Sequence, residues 1–232
     1  MLINNINISN FKAKLLDRNI KSAEIDIIND WNTNSIAPFV DDKYKAKYKT
    51  LTLVLDIICS NANELEIMKS NLIKQLAIST IKFDDIEYYY RGFVSGTPTF
   101  NYIMKGNETL NVDMLVIAEK EQVTEAMNRI STKIINIPGN LETPCILEIS
   151  PSVDDIDLVI TGLSEEAITI RNLKQGKKII INGEDCTVFQ EGINKFNDTD
   201  LWEFPSLKPG LNTITGSKNT MDINIKYKGR WI

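Results

Sequence analysis

The chain has 232 residues, 43% of them hydrophobic and 25% charged, and a formal net charge of −5. That length suits one large or two small domains with real cores, and the acidic balance argues against a dedicated nucleic-acid surface. Histidine is absent altogether, which excludes Ser–His–Asp and Cys–His catalysis, His-ligated zinc and histidine pH switching.

The chain opens on Met1-Leu2-Ile3-Asn4-Asn5, which has neither a basic nor an apolar leader region, so a signal peptide is not expected. No uninterrupted apolar run approaches the roughly 20 residues of a membrane span. Short strands are expected around Ile3, Ile6 and Ile8 and over Ile25-Asp26-Ile27-Ile28. The polar stretch from Asn29 to Thr50 carries Trp31, Pro38, Phe39, Tyr44 and Tyr48, with Lys43, Lys45, Lys47 and Lys49 alternating. A connection of that length serves binding or lies against a partner, while alternating lysines also suit an edge strand that resists aggregation; both readings stand.

Leu51 to Cys59 reads as a buried strand, and a helix is expected over residues 61–78. Asn61 is placed to cap it with Glu64 at the third helical position, and Leu65, Met68, Leu72 and Leu76 form one apolar stripe. The period then changes. Ile81-Lys82-Phe83 and Ile86 to Val94 predict one hairpin about Asp84-Asp85, and Thr97 to Lys105 with Glu108 to Ile117 predict another about Gly106-Asn107. Residues 119–132 read as a connecting helix, with Val123, Met127 and Ile130 at helical spacing.

The remainder reads as all-β. Candidate strands lie at Cys145–Ser150, Ile156–Thr161, Ala167–Asn172, Lys177–Asn182, Asp185–Phe189, Leu211–Gly216 and Met221–Tyr227. Asn182-Gly183 predicts a type I′ hairpin turn. Met221, Ile223, Ile225 and Tyr227 alternate with Asp222, Asn224, Lys226 and Lys228, the pattern of one buried and one wet face. The fold class expected is mainly β: an α+β domain with one main helix at 1–135, then an all-β sandwich at 136–232.

Chemistry-bearing motifs are missing. The sequence has no P-loop, no G-x-G-x-x-G and no G-x-S-x-G. Cys59, Cys145 and Cys186 are far apart without a C-x-x-C, so they read as small buried residues rather than as a disulfide framework or zinc site. Asp154, Asp155 and Asp157, with Glu165 and Glu166 nearby, lack the loop layout of a calcium site and read as a solvated turn. No catalytic residue, cofactor or metal is expected.

The run Phe204-Pro205-Ser206-Leu207-Lys208-Pro209-Gly210-Leu211-Asn212-Thr213-Ile214 is followed by Ile223-Asn224-Ile225-Lys226-Tyr227-Lys228-Gly229-Arg230-Trp231-Ile232. This pair resembles the C-terminal signature of the bacteriophage distal tail protein family, and the order of N-terminal elements is similar to that family's. The resemblance implies a structural, non-enzymatic virion protein of the phage tail tip, assembled in the bacterial cytoplasm. It implies an N-terminal domain that closes a hexameric ring between the tail-tube protein and the tail-associated hub or lysin protein. It implies a galectin-like C-terminal sandwich facing outward as a platform for receptor-binding proteins, with no membrane and no nucleic-acid sequence recognition. On that reading residues 29–49 clasp a neighbouring subunit, with Trp31, Phe39, Tyr44 and Tyr48 as interface candidates. Trp202 and Tyr227 are candidate outer-domain contacts, and would be the platform of the alternative, a carbohydrate-binding attachment module. A carboxylate-based cell-wall hydrolase is a weaker alternative.

Overall fold

The structure, a computed structural model, describes residues 1–232 apart from the side chains of 41–43, so Lys43 of the alternating lysines lies outside the described side chains. The chain folds as two units, Met1–Glu119 with Ile232, and Lys120–Trp231.

The first unit contains, in chain order, β1 (Leu2–Ile3), β2 (Ile6–Asn7), β3 (Ala13–Ile20), β4 (Ile25–Asp30), β5 (Phe39–Ala46), β6 (Lys49–Ile58), α1 (Ala62–Leu76), β7 (Ile78–Lys82), β8 (Tyr89–Met104) and β9 (Asn107–Glu119). Its main sheet runs β2-β1-β7-β8-β9-β6-β3, while β4 and β5 form a separate two-stranded ribbon. On β6 the alternation works as period-2 chemistry requires: Leu51, Leu53, Leu55 and Ile57 are fully buried, and Thr52, Val54 and Asp56 between them are half-exposed. Burial of each such side chain contributes roughly 1.5–3 kcal/mol.

The helix begins where Asn61 Oδ1 accepts the Glu64 N–H at 2.9 Å, and Glu64 Oε2 accepts the Ser60 N–H at 3.0 Å. The capping box thus reaches one residue further back than the sequence suggested. Leu65, Leu72 and Leu76 face the core, with Met68 packed against it. The two strands expected at 86–94 and 97–105 are one strand, β8, whose register against β9 jumps from Ser95↔Asp113 to Thr99↔Asn111. Residues 96–98 bulge there opposite Val112, and Gly96 takes φ +78 in open space. The Asn29 to Thr50 stretch is largely paired rather than looped, since β5 returns along β4.

The second unit contains β10 (Val123–Asn128), β11 (Thr132–Ile137), β12 (Thr143–Pro151), β13 (Asp155–Thr161), β14 (Ile168–Leu173), β15 (Ile179–Asn182), β16 (Thr187–Gln190), β17 (Ile193–Asn194), β18 (Thr199–Asp200), β19 (Ser206–Leu207), β20 (Gly210–Gly216), β21 (Met221–Tyr227) and β22 (Arg230–Trp231). One sheet is ordered β10-β21-β12-β15-β16-β17 and the other β11-β20-β13-β14-β18. Their inner faces share one core, including Leu147, Ile181 and Ile225 from the first and Ile135, Leu158, Ile170 and Ile214 from the second.

The connecting helix expected at 119–132 is a strand instead. Residues Val123–Asn128 pair in full register with β21, and cross-strand bonds override a helical spacing carried by only three apolar residues. β10, which precedes the expected boundary near residue 135, and β11, which spans it, are both paired within the second unit. The Asn182-Gly183 turn also differs. Asn182 pairs with Thr187 across a four-residue loop at 183–186, and the positive φ falls on Cys186. Glycine is required at 183 by space, because a Cβ there would stand 2.3 Å from the Pro205 carbonyl and 2.7 Å from that of Cys145.

The C-terminal signature is structural. Gly210 takes φ +89 after Pro209, and the buried Asn212 closes the turn from inside. Its Nδ2 donates to the Lys208 carbonyl at 2.7 Å and the Gly210 carbonyl at 3.0 Å, and its Oδ1 accepts the Lys208 N–H at 3.1 Å. Leu207 is fully buried beside it.

Candidate assembly interface

The β4–β5 ribbon has two unlike faces. Ile25 stands opposite Ala46 and Ile27 opposite Tyr44 on one face, while Asp26 stands opposite Lys45 on the other. On the charged face Lys47 Nζ lies 3.1 Å from Glu24 and 2.8 Å from Asp26, which raises the lysine pKa. The apolar face is left in water: Ile25 is 47% exposed, Ile27 46% and Tyr44 50%. Toward the tip Ile28, Trp31, Ile36, Phe39 and Val40 are all exposed as well. An isolated two-stranded ribbon is marginal in water, and scattered exposed apolar residues are ordinary where a contiguous exposed face is not.

Trp31, Phe39 and Tyr44 therefore share the ribbon. Tyr48 belongs to its root, where its ring meets Phe93 of β8 edge-on at 5.5 Å. Ile25, Ile27, Ile28 and Ile36 were missed by a reading that followed aromatic rings; the alternation Ile25-Asp26-Ile27 was the available signal. The main sheet ends at β2 and β3, and Leu16 bulges outward from the latter. The β8–β9 turn presents a second apolar tip with Tyr102, Ile103 and Met104, all exposed.

In the second unit Trp202 is 85% exposed, whereas Tyr227 is 4% exposed and packs in the core. The two rings form no common platform. The expected solvated turn is largely strand, since Asp155 and Asp157 open β13, and its acids are held by lysines: Lys174 lies 3.0 Å from Asp154 and Lys218 lies 2.9 Å from Asp157 and against Asp155. Among the described residues no His, Cys, Asp and Glu cluster could hold a metal ion, and no helix is long and apolar enough to cross a membrane. Cys145 is buried and its thiol is pushed up to about 12 by desolvation, which removes it as a nucleophile.

Residues 138–231 match the family described as siphovirus-type tail component, C-terminal domain. Among solved structures, the crystal structure of phage SPP1 Dit (gp 19.1), described as a paradigm of hub adsorption apparatus in phages infecting Gram-positive bacteria, is matched at 10% identity with a TM-score of 0.77. That match covers 100% of this chain and 98% of that one. The phage P2 baseplate in its activated conformation with calcium is matched at 13% identity and a TM-score of 0.54, over 95% of this chain and 92% of that one. No curated protein sequence matches. At these identities the structural likeness is one of fold.

Proposed function

We propose that the chain is a structural component of a siphovirus-type phage tail tip, and so of the virion, and that it acts there as one subunit of a closed ring; the match of residues 138–231 to the tail component's C-terminal domain and the likeness in fold to phage Dit support this reading. The observation that carries this reading is the apolar face of the β4–β5 ribbon. A subunit that leaves Ile25, Ile27 and Tyr44 half-exposed on an unsupported ribbon gains stability when a second copy covers them. A contact between two different patches of the same protein closes into a ring when its rotation closes, and six copies is the number the family resemblance implies. The terminal strands β2 and β3 support the same reading, because the edge of a sheet offers backbone donors and acceptors for pairing.

In the ring, the first unit would line the tail channel between the tube protein and the hub or lysin protein, and the second would carry receptor-binding proteins. The test is light scattering on the full chain and on a chain whose residues 25–46 are replaced by a short Gly-Ser linker. The expected result is a ring mass for the first and a folded single-subunit mass for the second. Equal ring masses would overturn the assignment of the ribbon, and a wild-type chain that stays a single subunit at all concentrations would overturn the ring.

A further inference from the structure

Trp202 sits on a loop that is fixed on both sides. Leu201 and Phe204 flank it and pack against the sandwich core. Phe204 stacks on Phe196 with centroids 6.3 Å apart. The loop is tied to the β13–β14 turn by two bonds: Ser206 N–H donates to the Leu163 carbonyl at 2.7 Å, and Glu165 N–H donates to Glu203 Oε2 at 3.3 Å. A large apolar ring is thus held out into water by a rigid support, at no benefit to the isolated subunit.

Its surroundings are anionic. Glu165, Glu166 and Glu203 are exposed on the two joined loops, and among the described residues none of the three makes an ion pair. The neighbouring acids behave differently, for Asp198 pairs with Lys195 at 2.8 Å and Asp200 with Arg171. The side chains of the patch offer carboxylate acceptors and a ring face. A glycan presents neutral hydroxyls that gain little from three negative charges; a guanidinium is a cation that carries donors alone, stacks on indole and binds carboxylates bidentately.

We propose that Trp202 with Glu165, Glu166 and Glu203 is the docking site for an arginine-bearing segment of a partner protein. The proposal rests on the reading of the second unit as a platform for other tail proteins, and names the chemistry of what the platform holds. Trp202 would be the central anchor and the glutamates the source of steering and register.

The test is fluorescence anisotropy of labelled peptides on the full chain. The probes are a short Gly-spaced tri-arginine peptide, its tri-glutamate counterpart and a labelled N-acetylglucosamine tetrasaccharide. The arginine peptide is expected to bind, more weakly as salt rises, and the glutamate peptide to fail. Trp202→Ala and the triple change Glu165→Gln, Glu166→Gln, Glu203→Gln are each expected to weaken binding by about tenfold or more with unchanged melting, as for a hot-spot residue. No binding, or binding that neither variant alters, overturns the proposal. Tetrasaccharide binding that Trp202→Ala abolishes replaces it with a glycan site. The readout is independent of subunit mass, so failure here and failure of the ring are separable.

Discussion

Lys133 and Lys195 cross the sandwich in opposite directions at its two flanks. Lys133 lies on the inward face of β11 and its Nζ reaches the Ala126 carbonyl of β10, in the other sheet, at 2.7 Å, with Glu125 also at 2.7 Å. Lys195 follows β17, and its Nζ reaches the Asn172 carbonyl of β14, again in the other sheet, at 3.2 Å, with Asp198 at 2.8 Å. An inward-pointing charge on an edge is a device against strand addition, because a docking strand would have to cover a charged, partly hydrated group. Lys133→Ile is therefore expected to leave the second unit folded but to promote concentration-dependent association through β11, read by light scattering. Lys195→Met leaves Asp198 without its cation at a site where the lysine is 7% exposed, and is expected to lower stability by roughly 1–3 kcal/mol in chemical denaturation.

The ribbon gives a finer prediction than its removal. Ile27→Glu places a charge in the centre of the apolar face opposite Tyr44. Because Ile27 is 46% exposed, the subunit loses little and its melting temperature should stay within about 2 °C. The ring should be lost, since covering an unpaired carboxylate costs several kcal/mol per contact. Lys45→Glu on the opposite, charged face is the control, and should leave ring mass unchanged.

With no histidine, stability should be flat between about pH 5 and 8, and the slopes should lie outside that window. Asp85 is held down to about 2, first by its hydrogen bonds from Arg18, whose Nη1 donates to Oδ1 at 2.6 Å. A carboxylate with a depressed folded pKa contributes stability above its unfolded value of 3.8 and loses it as pH falls toward 2. Glu148 is also lowered, chiefly by the hydrogen bond from Lys226, and adds to the same acid limb. Thermal melts from pH 2 to pH 8 should show the drop only in the acid range, and Asp85→Asn should make it shallower.

What the sequence made legible follows from where side-chain pattern and backbone pairing agree. β6 and β21 alternate cleanly, and α1 has its cap and stripe, so all three could be read. β3 was invisible because Lys14, Asp17 and Arg18 interrupt its alternation, and a bulge between Leu15 and Asp17 shifts the phase. β10 misled because Val123, Met127 and Ile130 mimic a helical face, and only its partner strand decides the matter. The ribbon carried its aromatic residues in plain view, but their distribution between arm and root depended on Tyr48 turning to Phe93. The alternation of β21 already put Tyr227 on the buried face with Met221, Ile223 and Ile225, and it is core, which is incompatible with its place among the candidate outer-domain contacts.

Cysteine reactivity separates three environments that the sequence read alike. Cys186 is exposed in the 183–186 loop, Cys59 is half-buried after β6, and Cys145 is buried in β12. Desolvation raises the Cys59 thiol, with Glu64 adding to the shift, and drives Cys145 up to about 12. The thiolate is the reactive form, so an aromatic disulfide reagent at pH 8 should label Cys186 first, Cys59 more slowly and Cys145 only on unfolding. Stoichiometry against time should show these phases, and Cys186→Ser should remove the fast one alone. Rapid labelling of Cys145 in the folded chain would mean that β12 is not held between β15 and β21 as described.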